Sequence, residues 1–397
     1  MLRSLDSGIS GLRAHQTMLD VTANNIANVN TTGFKSSSTQ FQDTLSELTK
    51  TAGGTSAPVG GTSAQSGTTN PAQIGLGVQI AGISTNFTQG STNTTGVPTN
   101  LMISGDGFFT VKSAGQTLYT RDGSFSFDVS GQLVSPSGAL VQGWSAVNGA
   151  LPPTSAALST VRLPENSMAP AVATTAANVT GNLPSDAAVG TAVTQSVDVY
   201  DNTGAARSLN LTFTKSAAGW DVAGSDGTST GTDSVTFTGG ALTSGGSITV
   251  GGVAVDLSAM TGYAGLSTAT ISGQNGNTSG TLTSYTLTSD GTLMGSYSNG
   301  ATQPIARVAL AIFTNPGGLE KSGSSDYSST IASGSPRLGT AGSSGFGSIV
   351  GGSLEMSNVD LTQEFSNLIV AQRGFEANAR IITTSDQILQ DLNQMQH

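Results

Sequence analysis

The stretch LDVTANNIANVNTTGFK, Leu19 to Lys35, carries a helical apolar spacing straight through a cluster of asparagines, Asn24, Asn25, Asn28 and Asn30, and then breaks at Thr-Thr-Gly. Asparagine is a mediocre helix former, because its amide competes for nearby backbone hydrogen bonds. A helix that ends on so many of them needs another use for those amides. Working back towards the start, Leu2, Leu5, Ile9, Leu12, Leu19 and Ile26, with Gln16 and Ala23, fill both seam positions of a seven-residue repeat. Such a seam asks for a partner helix.

The far end of the chain shows the same texture. Leu354, Leu361, Leu368, Phe375, Ile382 and Leu389 step by seven, supported by Phe365, Ile369, Ala379, Leu392 and Met395. Ser357 with Asp360, and Asp360 with Gln363, both have capping-box form and mark the start of this helix. At 1.5 Å per residue the two helices would be roughly 40–45 Å and 55–60 Å long, longer than a small domain is wide. Gly374, in the middle of the second, costs about 1 kcal/mol relative to Ala and is read as a point of close backbone approach.

Between the helices the chain reads as strand and turn. Asn100–Lys112, Thr117–Asp128 and Gln132–Trp144 are short alternating runs broken by Gly-Asp-Gly, Asp-Gly and Pro-Ser-Gly, which are hairpin signals. A second block, Ala146 to Ser279, has its own strands, including Ser196–Lys215 on both sides of Asn-Thr-Gly, and a third set ends near Asn315. The Gly/Ser/Thr-rich tract Thr49–Gln73 has too few apolar residues for a core and reads as an extended connector.

Composition removes whole classes of function. Lys and Arg number 14 against 24 Asp and Glu, giving a net charge of -10 and no basic stripe, so nucleic acid is not an expected partner. The chain has no cysteine, which removes disulfides, Cys-zinc sites and thiol catalysis. Its two histidines, His15 and His397, supply neither a Ser-His pair nor a metal site; His15 reads as an interface or solvated residue. GTSTG, Gly227–Gly231, fits the nucleophile-elbow pattern but reads as a loop with no strand before it and no helix after it. The Asn-x-Thr triplets at Asn86, Asn93, Asn178 and Asn210 follow from a Thr-rich composition. No catalytic residue, cofactor or metal is expected. The opening residues hold no continuous apolar segment of signal-peptide type, and no stretch is apolar enough to span a bilayer, so any export is expected to proceed without a cleaved signal and without membrane insertion.

ANNIANVNTTGFK resembles the N-terminal signature of the flagellar axial proteins, the rod and hook subunits. SNVDLTQEFSNLIVAQRGFEANARIITTSDQIL is similar to their C-terminal signature, and GDGFFTV with YTRDGSFSFDVSGQLVSPSGALVQGW resembles the β region of the same family. The inserted middle block favours the hook branch over a distal rod subunit. The resemblance implies a multidomain, mainly β protein with long helical termini, in which residues 1–35 and 353–397 form a coiled-coil-like inner-tube domain and 36–75 a connector. Residues 76–145 with 280–352 would form an inner β domain and 146–279 an inserted outer one. It implies a subunit that polymerises with itself into a curved tube transmitting torque. Its other partners would be the rod, the hook-filament junction proteins, the hook cap and the export apparatus. A secreted adhesin-like β protein is the competing class, and it would require a signal or an anchoring end.

On this reading the assembly residues are Leu2, Leu5, Ile9, Leu12, Leu19, Asn24, Asn25, Ile26, Asn28, Gly33 and Phe34 at the N-terminal end. At the C-terminal end they are Leu354, Leu361, Phe365, Leu368, Phe375, Ala379, Ile382, Leu389 and Leu392. An amide beside a seam specifies register at some cost in stability, so Asn24, Asn25 and Asn28 are expected to cap the helix and bond across an inter-subunit contact. Gly33 would supply the positive φ that terminates the helix.

Overall fold

In a computed structural model the described residues are 2–52, 70–147, 149–163 and 168–395. Most of the low-complexity tract therefore lies outside them, as does His397. Helix α1 runs Leu2–Ala27 and helix α2 runs Leu361–Gln394. The two pack antiparallel. Gly8 lies against Ile381 and Ile382, Gly11 against Asn378, Gly374 against the His15 ring, and Asn25 bonds Glu364 near the start of α2.

Both helix ends differ from the sequence expectation. Leu354 fits the seven-residue step, but Ser353–Glu355 is a strand paired antiparallel with Thr92–Thr94, so α2 starts at Leu361. Asp360 is its cap, its carboxylate accepting from the amides of Thr362 and Gln363 at 2.8 and 3.3 Å. Ser357 turns the chain one step earlier, accepting from Val359 N, and the Gln363 amide reaches Asn367 instead of closing a capping box. Helix α1 ends at Ala27, well before Gly33, and its last turn is closed by Asn28, whose side-chain amide donates to Asn24 O at 2.9 Å. Gly33 does have positive φ, at 66°, but it serves the following turn: a Cβ there would sit 2.4 Å from Asp122 N.

From the turn after α1 a narrow ribbon runs back along the helix. Ser37–Asp43 pairs with Val78–Thr85, and Ser46–Lys50 with Ala72–Gly75. Ser10 Oγ accepts from Val78 N at 3.3 Å and Arg3 meets Glu47 at 2.6 Å, so the ribbon follows α1 to its first turns.

The inner β body is built on a sheet of 14 strands among the described residues. It takes strands from Phe108 to Ser145, returns for Gly280–Val308, and continues through Leu310–Ile312 to Arg337–Gly339. Its core holds Leu101, Ile103, Phe109, Val111, Val141, Val308 and Leu310. The hairpin Phe108–Ser113 with Gln116–Thr120 turns on Ala114 and Gly115, both at positive φ, as a two-residue turn demands. The Asp-Gly at 122–123, read as a hairpin mark, instead brings the chain against Leu101: Gly123 O accepts from Leu101 N at 2.9 Å.

Inside that body is inserted a second one, a sheet of nine strands spanning Ala176–Gln274 with its own core of Leu209, Leu211, Phe213, Trp220, Val222, Val255 and Leu257. The preceding short strands Ser159–Thr160 and Met168–Ala169 belong to the inner sheet. Gly227–Ser229 lies in the turn between the paired strands Trp220–Ser225 and Thr230–Thr238, and Thr230 and Gly231 open the second of them. A strand thus does precede GTSTG, contrary to the sequence reading, and another strand follows it, so no nucleophile elbow is formed.

Candidate assembly site at the root of the terminal helices

The seam between α1 and α2 is not the apolar one. On α2 the buried residues Glu364, Ala371 and Ser385, with half-buried Asn378, step by seven; on α1 Gly8, Gly11, Ala14, Thr22 and Asn25 are buried. Small side chains bring the two backbones close, and Gly374 fits the same pattern: a Cβ there would lie 2.5 Å from the His15 ring. His15 is half-buried, 5.9 Å from the Phe41 ring centre, with Nδ1 buried and unpartnered.

Ile381 and Ile382 flank the seam against Gly8, whereas several other large apolar residues of α2 stay open to solvent. Leu361, Phe365 and Leu389 are 40%, 51% and 43% exposed, and Ile369 and Val370 51% and 59%. Leu368, Phe375, Ala379 and Ile382 are half-buried, as are Leu5, Ile9, Leu12, Leu19 and Ile26 on α1. Leu354 is buried in its strand. The side chains of Leu2 and Leu392 lie outside the described residues.

The asparagines divide the work. Asn25 is 1% exposed; its amide nitrogen donates to Ser37 O at 2.7 Å and to Glu364 Oε1 at 3.1 Å, while its oxygen accepts from Ser37 N at 3.0 Å. It therefore ties α1 to the ribbon and to α2 within one chain, in place of the inter-subunit contact expected for it. Asn28 caps, and Asn24 is exposed. Both line a cleft of about 560 Å³ with Phe34, Asp122, Lys321 and Asp326, and Lys321 Nζ stands 5.1 Å from the Phe34 ring centre.

Beneath this lies a cluster that the sequence did not reveal. Lys35 Nζ meets Glu355 Oε1 at 2.6 Å, and Arg121 Nη1 meets Glu355 Oε2 at 3.3 Å. Burial pushes the Lys35 ammonium below the ordinary lysine range, with Glu355 pulling it back; Arg121 is lowered by burial likewise. Asn358 adds a neutral bridge, accepting from Ser36 N at 2.8 Å and donating to Asn86 O at 2.8 Å. Burial raises the Glu364 carboxyl, against the hydrogen bond from Asn25. Lys35 stood inside the opening stretch, but nothing in its spacing names a partner some three hundred residues away.

Comparison with known proteins supplies the family. The model described as Flagella basal body rod protein matches residues 5–35, Flagellar hook protein FlgE/F/G D1 domain matches 102–180, and Flagellar basal body rod FlgEFG protein C-terminal matches 350–395. The flagellar hook protein FlgE of Treponema pallidum is 35% identical over 462 residues, covering 98% of each chain. That of Borreliella burgdorferi is 36% identical over 449 residues, covering 99% of each. The flagellar basal-body rod protein FlgG of Bacillus subtilis is 31% identical over 393 residues, covering 99% of this chain and 98% of that one. A rod-named relative thus aligns across the middle block too, so that block alone does not separate hook from rod, whereas the two hook-named relatives are the more similar. Matched at both ends, in the body and along its whole length, the chain belongs to the flagellar hook protein FlgE family, as a structural subunit of the bacterial flagellar hook.

Proposed function

We propose that the chain polymerises through its helix pair, each α2 offering its exposed apolar flanks to the helices of neighbouring copies. The observation that carries this is the burial of α2, with small and polar residues hidden against α1 while Leu361, Phe365, Ile369 and Val370 stay exposed. At about 100° per residue, Leu361, Phe365 and Ile369 share one flank, and Val370 and Ile388 share another. Two flanks beyond the α1 contact suit a helix with neighbours on both sides. Such a head-to-tail contact repeats into a helical filament. Leu368, Phe375, Ala379, Ile382 and Leu389, with the half-buried leucines and isoleucines of α1, complete these contacts.

In this reading residues 1–35 and 353–397 line the inner tube, 36–75 connect, 76–145 with 280–352 form the inner β layer, and 146–279 form the outer one, its strands within Ala176–Gln274. The rod and the hook-filament junction proteins meet the two ends of the polymer, and the cap and export apparatus act while it grows. A Cys-free chain crosses a narrow export channel without cross-linking. The outer layer, rich in Ser, Thr and Gly, makes wet contacts that slide as a bent tube turns.

The test is electron microscopy of purified chain under assembly conditions, where tubes are expected. A variant lacking Ala176–Gln274 is closed by a short Gly-Ser linker, because the two connections lie side by side: Asn275 Oδ1 accepts from the amides of Thr175 and Ala176, each at 3.0 Å. It should still form tubes, straight or wrongly curved. Failure to form any tube would make the outer body an assembly element.

A further inference from the structure

The outer body carries a cleft of about 350 Å³ at the end away from its neck. The neck is where the two connections are bonded together, Thr174 N donating to Tyr200 O at 2.8 Å beside the bonds of Asn275. The strand Ala192–Tyr200 leads from there to the far end, where Gly190 N donates to Lys215 O at 2.8 Å, and its 9 residues span roughly 25–30 Å. Ser185, Lys215, Trp220, Phe237 and Tyr263 line the cleft, with glycines between them.

The lining is held in place. Asn182, itself buried, fixes the loop that bears Tyr263, donating to Tyr263 O at 2.9 Å and Leu266 O at 2.6 Å and accepting from Tyr263 N at 2.7 Å. Tyr263 is 59% exposed, and its ring lies across Gly240, where a Cβ would collide with it. The charge is equally particular. Ala176–Gln274 contains seven Asp, no Glu and two basic residues, Arg207 and Lys215. Arg207 is paired with Asp226 at 2.6 Å, whereas Lys215 makes no ion pair among the described residues and its Nζ stands 5.8 Å from the Trp220 ring centre. Asp186, on a neighbouring loop, accepts from Gly265 N at 3.0 Å and is not part of the lining. An acidic body thus keeps its one unpaired cation beside aromatic rings in a cleft.

A cleft of this size takes a small ligand, and its few polar groups decide which one. A phosphate asks for several converging donors or an arginine fork, and neither is present. One ammonium matches one carboxylate. An open aromatic ring beside it offers its face to the C–H groups of a saturated ring. We propose that the cleft binds an acidic saccharide unit, a sugar ring bearing a carboxylate. Lys215 pairs with the carboxylate, Tyr263 packs on the C–H face of the ring, and the Ser185 hydroxyl meets a sugar hydroxyl. The site belongs wholly to the outer body, which has its own core, so it depends neither on the helix pair nor on polymerisation.

Ligand-observed NMR on the full-length monomer tests it, with glucuronate as the probe and glucose as its neutral match. Glucuronate should bind in the millimolar range, about tenfold tighter than glucose. Lys215→Met should remove that preference and Lys215→Arg should keep it, while Tyr263→Ala should weaken both sugars about fivefold. Both side chains reach solvent, so the melting temperature should stay unchanged in all three variants and report that the outer body is folded. Assembled tubes should bind as much glucuronate per chain as the monomer does. No binding of glucuronate, equal binding of the two sugars, or a preference that survives Lys215→Met would each overturn the proposal. So would binding lost on assembly, which would assign the cleft to a contact with a neighbouring copy.

Discussion

In the outer β body the residues hidden from water are large: Leu209, Leu211, Phe213, Trp220 and Leu257 are at most 1% exposed. In the helix pair the hidden residues are Thr22, Asn25, Glu364, Ala371 and Ser385, while Leu361, Phe365, Ile369 and Val370 stand 40–59% exposed. The first pattern is that of a finished domain, whose apolar surface is spent on its own core. The second leaves a stripe of apolar side chains over, each worth about 1 kcal/mol if its exposed half were covered. A chain that contains both has an independent fold in one place and an incomplete one in another, and this is what a subunit of a polymer requires.

The sharpest way to break this contrast is to exchange the damage. Phe365→Asp, or Leu361→Asp, should abolish tubes seen by microscopy, because every copy in the polymer would bury an unpaired carboxylate. The same variants should leave the melting of the β bodies unchanged. Normal tubes would show that this flank faces solvent in the assembly. Trp220→Ala should do the reverse, costing the outer body about 3–5 kcal/mol in denaturant unfolding while tubes still form. An outer body as stable as before would remove the contrast from that side.

Ala371→Leu probes the inner seam. With Ala371 fully buried between the helices, the added atoms should force them apart and cost about 1–3 kcal/mol in the helical part of the unfolding transition, despite leucine's good helix propensity. A neutral or stabilising result would mean that the seam has room and that small residues are not its requirement.

The smallest effect lies at the boundary between the two regions. Asp326 is buried at the cleft beneath the end of α1, and its carboxyl is pushed up to about 6 by burial, against a hydrogen bond with Thr120 and with Asp122 adding to the rise. A carboxyl raised above its unfolded value contributes stability below about pH 4 that is lost as pH rises through about 6. Asp326→Asn should therefore raise stability at pH 7, by about 1 kcal/mol once solvent screening is allowed for, and flatten the slope of melting temperature between about pH 4 and 6. An unchanged slope would place the carboxylate in better contact with water.

What could be read without the structure was whatever repeats or punctuates locally. Seven-residue spacing marked two helices, alternation marked the strands, Asp360 marked the start of α2, and Pro-Ser-Gly at 136–138 marked a real hairpin between Leu133–Val134 and Leu140–Ser145. The same spacing misplaced Leu354, since the pairing of Ser353–Glu355 with Thr92–Thr94 outweighs a local helical period. It also left open which face of α2 meets α1, because an apolar stripe records that some helix will cover it and not whether that helix belongs to the same chain.

By itself the sequence marked the two terminal helices, the strand-rich body between them, the nesting of a β insert, and an acidic, Cys-free chemistry. Only the tertiary structure decided that Asn25 bonds inward to Ser37 and Glu364, that the seam is built of Gly, Ala and Ser, and that Lys35, Arg121 and Glu355 meet. The physical reason is range. Helical and strand periods follow from backbone geometry over a few residues, whereas a buried charge finds its partner through the packing of the whole chain, and no local pattern encodes that meeting.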